Sequence, residues 1–148
     1  MLHGTCVAFD ECGILLRGPS GSGKSDLALR LIETPPKSAG SVKLVADDQV
    51  IVTCDEDQLI ASSPEVLRGV LEVRGIGLIE VACRDAVALK LVVELSGAGA
   101  IERLPDLANS NVSIQGLAVP VLKLDPFESS APAKLALAVS SMGSLFSR

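Results

Sequence analysis

The segment Gly18-Pro19-Ser20-Gly21-Ser22-Gly23-Lys24-Ser25 constrains this chain more than any other, because it satisfies G-x-x-x-x-G-K-[ST] in full. An aliphatic run, Ile14 to Arg17, precedes it, and Ser25 to Glu33 follows with Leu27, Ala28, Leu31 and Ile32 at helical spacing. Such a strand–loop–helix unit brings successive backbone N–H groups together at a helix N-terminus, where they and the helix dipole attract phosphate oxygens. Lys24 is then placed for the β and γ phosphates, and the Ser25 hydroxyl for Mg²⁺. A glycine-rich turn that caps a helix by chance is the plainer reading, and the matching strand and helix argue against it.

The remaining pattern is mostly strand. Residues 3–9 and 14–17 read as a hairpin around Asp10-Glu11-Cys12-Gly13. Pro35-Pro36 ends the first helix, and 34–41 is loop by composition. Strands are expected at 42–45, 50–52, 59–61, 70–73, 78–83, 86–95 and 117–124, with a bend at Gly75 and Gly77 and a loop at 105–110. An amphipathic helix is expected over 132–146 from Leu135, Val139, Met142 and Phe146. Helices do not alternate with strands after the loop, so a βαβ-repeating parallel sheet is not predicted. The expected fold is α/β, a strand-rich mixed sheet with few helices, one of them launched from the glycine loop.

With 148 residues there is chain for one domain, residues 1–148, able to bury a core without staples. Eighteen acids against thirteen Lys and Arg give a net charge of −5, which argues against a nucleic-acid-coating protein. Three Phe, no Tyr and no Trp make base-stacking platforms and aromatic sugar sites poor expectations. The four cysteines form no C-x-x-C pair, and one histidine is too few for a Cys/His zinc site. No signal peptide or membrane-spanning run is read, which makes a cytoplasmic protein with no membrane partner the default.

Several other residues bear on chemistry. Asp47 and Asp48 follow the run Val42 to Ala46, so a strand is expected to carry two carboxylates to its C-terminal edge, where an acid beside such a loop commonly holds a metal or its water shell. An acidic turn is the alternative. Glu72 and Arg74 are two apart and project from one face of a strand, ahead of glycines that permit close approach of a ligand. By themselves Arg103, in a polar loop, reads as solvated and His3, at the terminus, as frayed.

Taken together, His3-Gly4, the glycine loop, Leu44-Val45-Ala46-Asp47-Asp48 and Leu71-Glu72-Val73-Arg74-Gly75-Ile76-Gly77 resemble, in order and spacing, the catalytic C-terminal domain of the HPr kinase/phosphorylase family over nearly the whole chain. The resemblance implies a P-loop domain of the phosphoenolpyruvate carboxykinase-like kind. It implies Mg-ATP-dependent phosphorylation of a serine on HPr, the phosphocarrier of the sugar phosphotransferase system, and in many members the reverse phosphorolysis. By position, Gly18, Pro19, Ser20, Gly21, Ser22, Gly23, Lys24 and Ser25 bind ATP, and Ser25 and Glu72 hold Mg²⁺. Asp48 matches the proton acceptor, His3, Lys24 and Arg103 match other catalytic positions, and Asp47 stands beside the base. The family's hexameric habit and the apolar C-terminal segment point to a homo-oligomer.

Three departures accompany the resemblance. The chain begins two residues before His3, so the N-terminal domain of many members is expected to be absent, and the C-terminal region is short. Around Ala118-Val119-Pro120-Val121 the likeness fades into Leu122-Lys123-Leu124-Asp125-Pro126. An acid in place of cationic or small residues disfavours bound inorganic phosphate and counts against phosphorolysis. A small-metabolite kinase and a nucleotide-sensing module without catalysis are the alternatives. A substrate screen without HPr distinguishes the first. ATP-dependent binding without transfer distinguishes the second.

Overall fold

The computed structural model describes residues 1–146. It opens with the expected hairpin, β1 (Leu2–Phe9) and β2 (Cys12–Arg17), followed by α1 (Lys24–Glu33). Next come β3 (Val42–Asp55), β4 (Gln58–Ser62), the hairpin β5 (Val70–Val73) and β6 (Gly77–Glu80), and β7 (Ala86–Leu95). The chain ends in β8 (Asn111–Ile114), β9 (Leu117–Leu124), α2 (Ala131–Ser140) and α3 (Met142–Leu145). The architecture is α/β, strand-rich and poor in helix.

Seven strands form one mixed sheet in the order β2-β1-β3-β4-β7-β9-β8. β7 also pairs in parallel with β2, so five strands close on themselves. That closure produces two apolar clusters. One lies within the ring, where Cys6, Ala8, Leu15, Val50, Val87 and Val92 meet. The other lies between the outer face, including Val7, Ile14, Leu16 and Leu44, and the helices, which contribute Leu27 and Leu31 from α1 and Leu135 from α2. Alternation along β1 and β2 assigns odd and even positions to opposite faces, the period of two expected of strands buried on both sides.

Two runs expected as separate strands, 42–45 and 50–52, are one strand of 14 residues. β1 accounts for this, because it pairs with β3 from Phe9↔Val42 to Leu2↔Val50, interrupted only by one bulge. Asp47-Asp48 therefore lies within β3 rather than at its C-terminal edge. Cys6 faces Ala46 while Val7 faces Leu44, so Val45 is an extra residue. Such a bulge exchanges the faces of everything beyond it. Val42 and Leu44 face the helices, whereas Ala46, Val50 and Val52 face the interior. Asp47 is thereby turned to the helix side, toward α1.

The expected strand at 78–83 stops at Glu80. Beyond it the chain leaves the hairpin and follows β3 instead, through Leu44 N–H to Ala82 O (2.9 Å) and Arg84 N–H to Leu44 O (2.8 Å). Leu71 is fully buried and anchors this hairpin against the helix-side core. β8 was not expected; it pairs antiparallel with β9 and buries Ile114. The single helix expected over 132–146 is two helices separated at Ser141. Among the described residues no helix is long and apolar enough to cross a membrane.

Candidate active site

The glycine loop is stabilised by its own backbone and by Lys24. Ser22 N–H bonds Pro19 O at 3.0 Å, and Gly23 enters α1 in the left-handed region (φ 97) without a side-chain cap. The first N–H groups of this ten-residue helix are thus left for an anion. Lys24 is buried, and its Nζ donates to Gly18 O (2.7 Å) and Pro19 O (3.0 Å), which uses two of three donors.

Asp47 joins three elements. Its Oδ1 accepts from Thr5 Oγ1 (2.9 Å) on β1 and from Ser25 Oγ (3.0 Å) on α1, and its Oδ2 accepts from the Glu72 N–H (3.1 Å) on β5. Thr5 stands directly across from Asp47 in the ladder and is fully buried. Sequence reasoning passed over Thr5, because a threonine in a β-branched run looks like an ordinary strand former.

Asp48 behaves differently. Its neighbours Ala46 and Val50 point inward, and regular alternation would bury a carboxylate with them. Its backbone is instead left-handed (φ 69), its side chain is 68% exposed, and Oδ1 lies 3.3 Å from His3 Nδ1. Such a conformation is rare for residues with a Cβ and is best tolerated by Asp and Asn. Across the ladder stands Gly4, where a Cβ would lie 2.7 Å from Leu16 O and 2.9 Å from Leu15 Cδ1. Only glycine lets β1 pass this close to β2 beside His3.

These groups line one cleft of about 410 Å³. The structure gathers into it His3, Lys24, Ser25, Asp47, Asp48 and Glu72, with Ser20, Gly21 and Gly23 of the loop. Arg74 also lines it, from the turn closed by Ile76 N–H to Val73 O (3.0 Å), in which Gly75 has φ 87. Arg103 is exposed in the 96–110 connection and does not line the cleft. Phe127, which sequence reasoning did not single out, does. No group of three His, Cys, Asp or Glu clusters as a metal site among the described residues. The Ser25 hydroxyl with the carboxylates of Asp47 and Glu72 is nevertheless an all-oxygen donor set, which fits Mg²⁺ bound partly through substrate phosphates.

Comparison with known proteins places the chain in a family. The family model described as HPr Serine kinase C-terminal domain matches residues 1–139. The chain belongs to that family. Proteins named HPr kinase/phosphorylase are similar to it, one from Exiguobacterium sp. at 35% identity over 83% of this chain and one from Clostridium tetani at 43% over 70%. Those matches cover 41% and 31% of the relatives, so the chain spans about two fifths or less of their length. A solved structure, the Hpr(Ser) kinase/phosphatase from Coxiella burnetii, superimposes with a TM-score of 0.79 and 27% identity, covering 96% of this chain and 89% of that one.

Proposed function

We propose that this chain is a Mg-ATP-dependent protein-serine kinase acting on HPr, built on a phosphoenolpyruvate carboxykinase-like P-loop domain. The observation that carries the reading is that one cleft is lined by the Lys24 loop, the exposed Asp48 carboxylate, Ser25, Asp47 and Glu72. A phosphate-binding loop alone fits many proteins. An exposed carboxylate in the same cleft, with His3 beside it, fits proton removal from an attacking hydroxyl.

The chain's residues divide the work. The loop N–H groups and Lys24 hold the β and γ phosphates; one such charge contact at 4 Å is worth about 4 kcal/mol at an effective dielectric of 20. Mg²⁺, when bound by Ser25 and Glu72, neutralises charge on the phosphoryl oxygens. Asp47 orients the Ser25 hydroxyl and the Glu72 backbone. The incoming serine Oγ attacks the γ phosphorus, ADP leaves, and Asp48 takes the hydroxyl proton. Phosphoryl transfer passes through a loose transition state, so this acceptor need act only late and an ordinary aspartate is basic enough. His3, in contact with Asp48, orients that carboxylate. A role for Arg103 requires the 96–110 connection to close toward the cleft once ligand is bound.

A protein acceptor suits the surroundings of the cleft. Ile76 and Leu78, each 74% exposed, lie on the same hairpin as Glu72 and Arg74, Leu78 across the ladder from Glu72 and Ile76 in the turn with Arg74. We place the protein in the cytoplasm as a homo-oligomer. The test is a panel of acceptors with Mg-ATP, comprising HPr and small hydroxylated metabolites. ATP consumption that depends on HPr is the expected result. Consumption with a metabolite and none with HPr contradicts the assignment.

A further inference from the structure

Phe127 stands apart from the other two phenylalanines. Phe9 is buried and Phe146 packs against the helix-side core, whereas Phe127 is 70% exposed in the mouth of the cleft. Its backbone is held in place all the same. The Phe127 N–H bonds Asp125 Oδ1 at 3.0 Å, and Glu128 N–H reaches Asp125 O. Arg30, in the last turn of α1, donates to Pro126 O while pairing with Asp26 at 3.2 Å, which ties this turn to the helix. The ring is set against the phosphate loop. A methyl group added to Gly23 would lie 3.3 Å from Phe127 Cζ. Leu29, partly buried on α1, lines the same cleft.

An exposed aromatic ring on a turn held in place, beside Gly23 and in the same cleft as Leu29, is suited to a flat apolar ligand that continues from the phosphates. We propose that Phe127 is the platform on which the nucleotide's base stacks, with Leu29 completing an apolar wall. This rests on reading the cleft as a nucleotide site. It adds a base subsite that the loop motif does not specify, and one ring supplies it in a chain with few aromatics. Stacking presents a π-face to any purine, so the platform contributes affinity without reading the base's edge.

The test compares Mg-ATP with inorganic tripolyphosphate, which keeps the phosphates and lacks the base, by titration calorimetry on the parent, Phe127→Ala and Phe127→Leu. Phe127→Leu keeps apolar bulk against Gly23 but has no ring. Both variants are expected to bind Mg-ATP roughly tenfold more weakly and tripolyphosphate as the parent does. Phe127→Trp introduces the chain's one tryptophan, whose emission is expected to change with Mg-ATP and far less with tripolyphosphate. Equal weakening of both ligands would mean that the ring props the loop, and would overturn the proposal. Unchanged Mg-ATP affinity with a raised KM for HPr would assign the ring to acceptor docking and overturn it too. Failure of the parent to bind either ligand would instead overturn the nucleotide reading of the cleft, and the base subsite with it.

Discussion

The Ser25 hydroxyl donates a 3.0 Å hydrogen bond to Asp47 Oδ1, linking the first turn of α1 to the middle of β3. The same carboxylate accepts from Thr5 and from the Glu72 N–H, so it fixes the relative positions of the two residues assigned to Mg²⁺. Asp47→Asn keeps the shape but turns one acceptor into a donor, facing groups that themselves donate. Partners that orient metal ligands typically contribute about 10–100-fold to metal affinity. Binding of Mn²⁺ with nucleotide, followed by electron paramagnetic resonance, is expected to weaken by that order. An unchanged affinity would leave Asp47 with a purely structural role.

Gly4 allows β1 to lie against Leu16 O beside the His3–Asp48 contact. A backbone carbonyl cannot move aside as a flexible side chain can. Gly4→Ala is therefore expected to cost about 1–3 kcal/mol of stability, as overpacking does. It is also expected to lower transfer to HPr, because His3 is the next residue. Denaturant unfolding and turnover measured together check this. Parent-like values in both would show that the strand pair has slack.

Cys6 has a thiol that burial pushes up to about 12. Between roughly pH 9 and 12 the folded chain keeps this proton while the unfolded chain, with its lower pKa, releases it. Unfolding is then favoured as pH rises, with the unfolding constant growing up to roughly tenfold per pH unit from this group. The contribution is fully present below the unfolded pKa and is lost by the folded one. Cys6→Ala should flatten the stability curve across that window even if its overall stability falls. The same slope in parent and variant would contradict this.

Ile76 and Leu78 are exposed on the hairpin next to the cleft. If HPr docks there, Ile76→Asp is expected to raise the KM for HPr roughly tenfold, the scale of a modest interface anchor. Affinity for Mg-ATP should not change. A KM for HPr that stays at the parent value would move the docking surface elsewhere.

What the sequence disclosed and what it concealed follow from how local each feature is. The glycine loop, α1 and the bend at Gly75 depend on neighbours in the chain, and all were read correctly in outline. The extent of β3 was not legible, since the partner that carries it through Asp47-Asp48 is β1, some forty residues earlier. Nor was the bulge at Val45, which alone decides that Asp47 faces Ser25. Thr5 matters because of the residue across the ladder. Phe127 matters because a turn held by Asp125 and Arg30 sets it beside Gly23. Arg103 is the reverse case, a position supplied by resemblance that the geometry leaves outside the cleft.

Asp48 offers the most direct test, because its left-handed backbone accommodates asparagine as well as aspartate. Asp48→Asn therefore removes the charge with little change in conformation. The measurement is the intact mass of HPr after incubation with Mg-ATP and either the parent chain or this variant, with nucleotide binding measured alongside. The parent is expected to add one acid-stable phosphoryl group on a serine, and the variant to bind nucleotide and add none. HPr left unmodified by a parent that binds Mg-ATP, or modified by Asp48→Asn at the parent rate, would contradict the account.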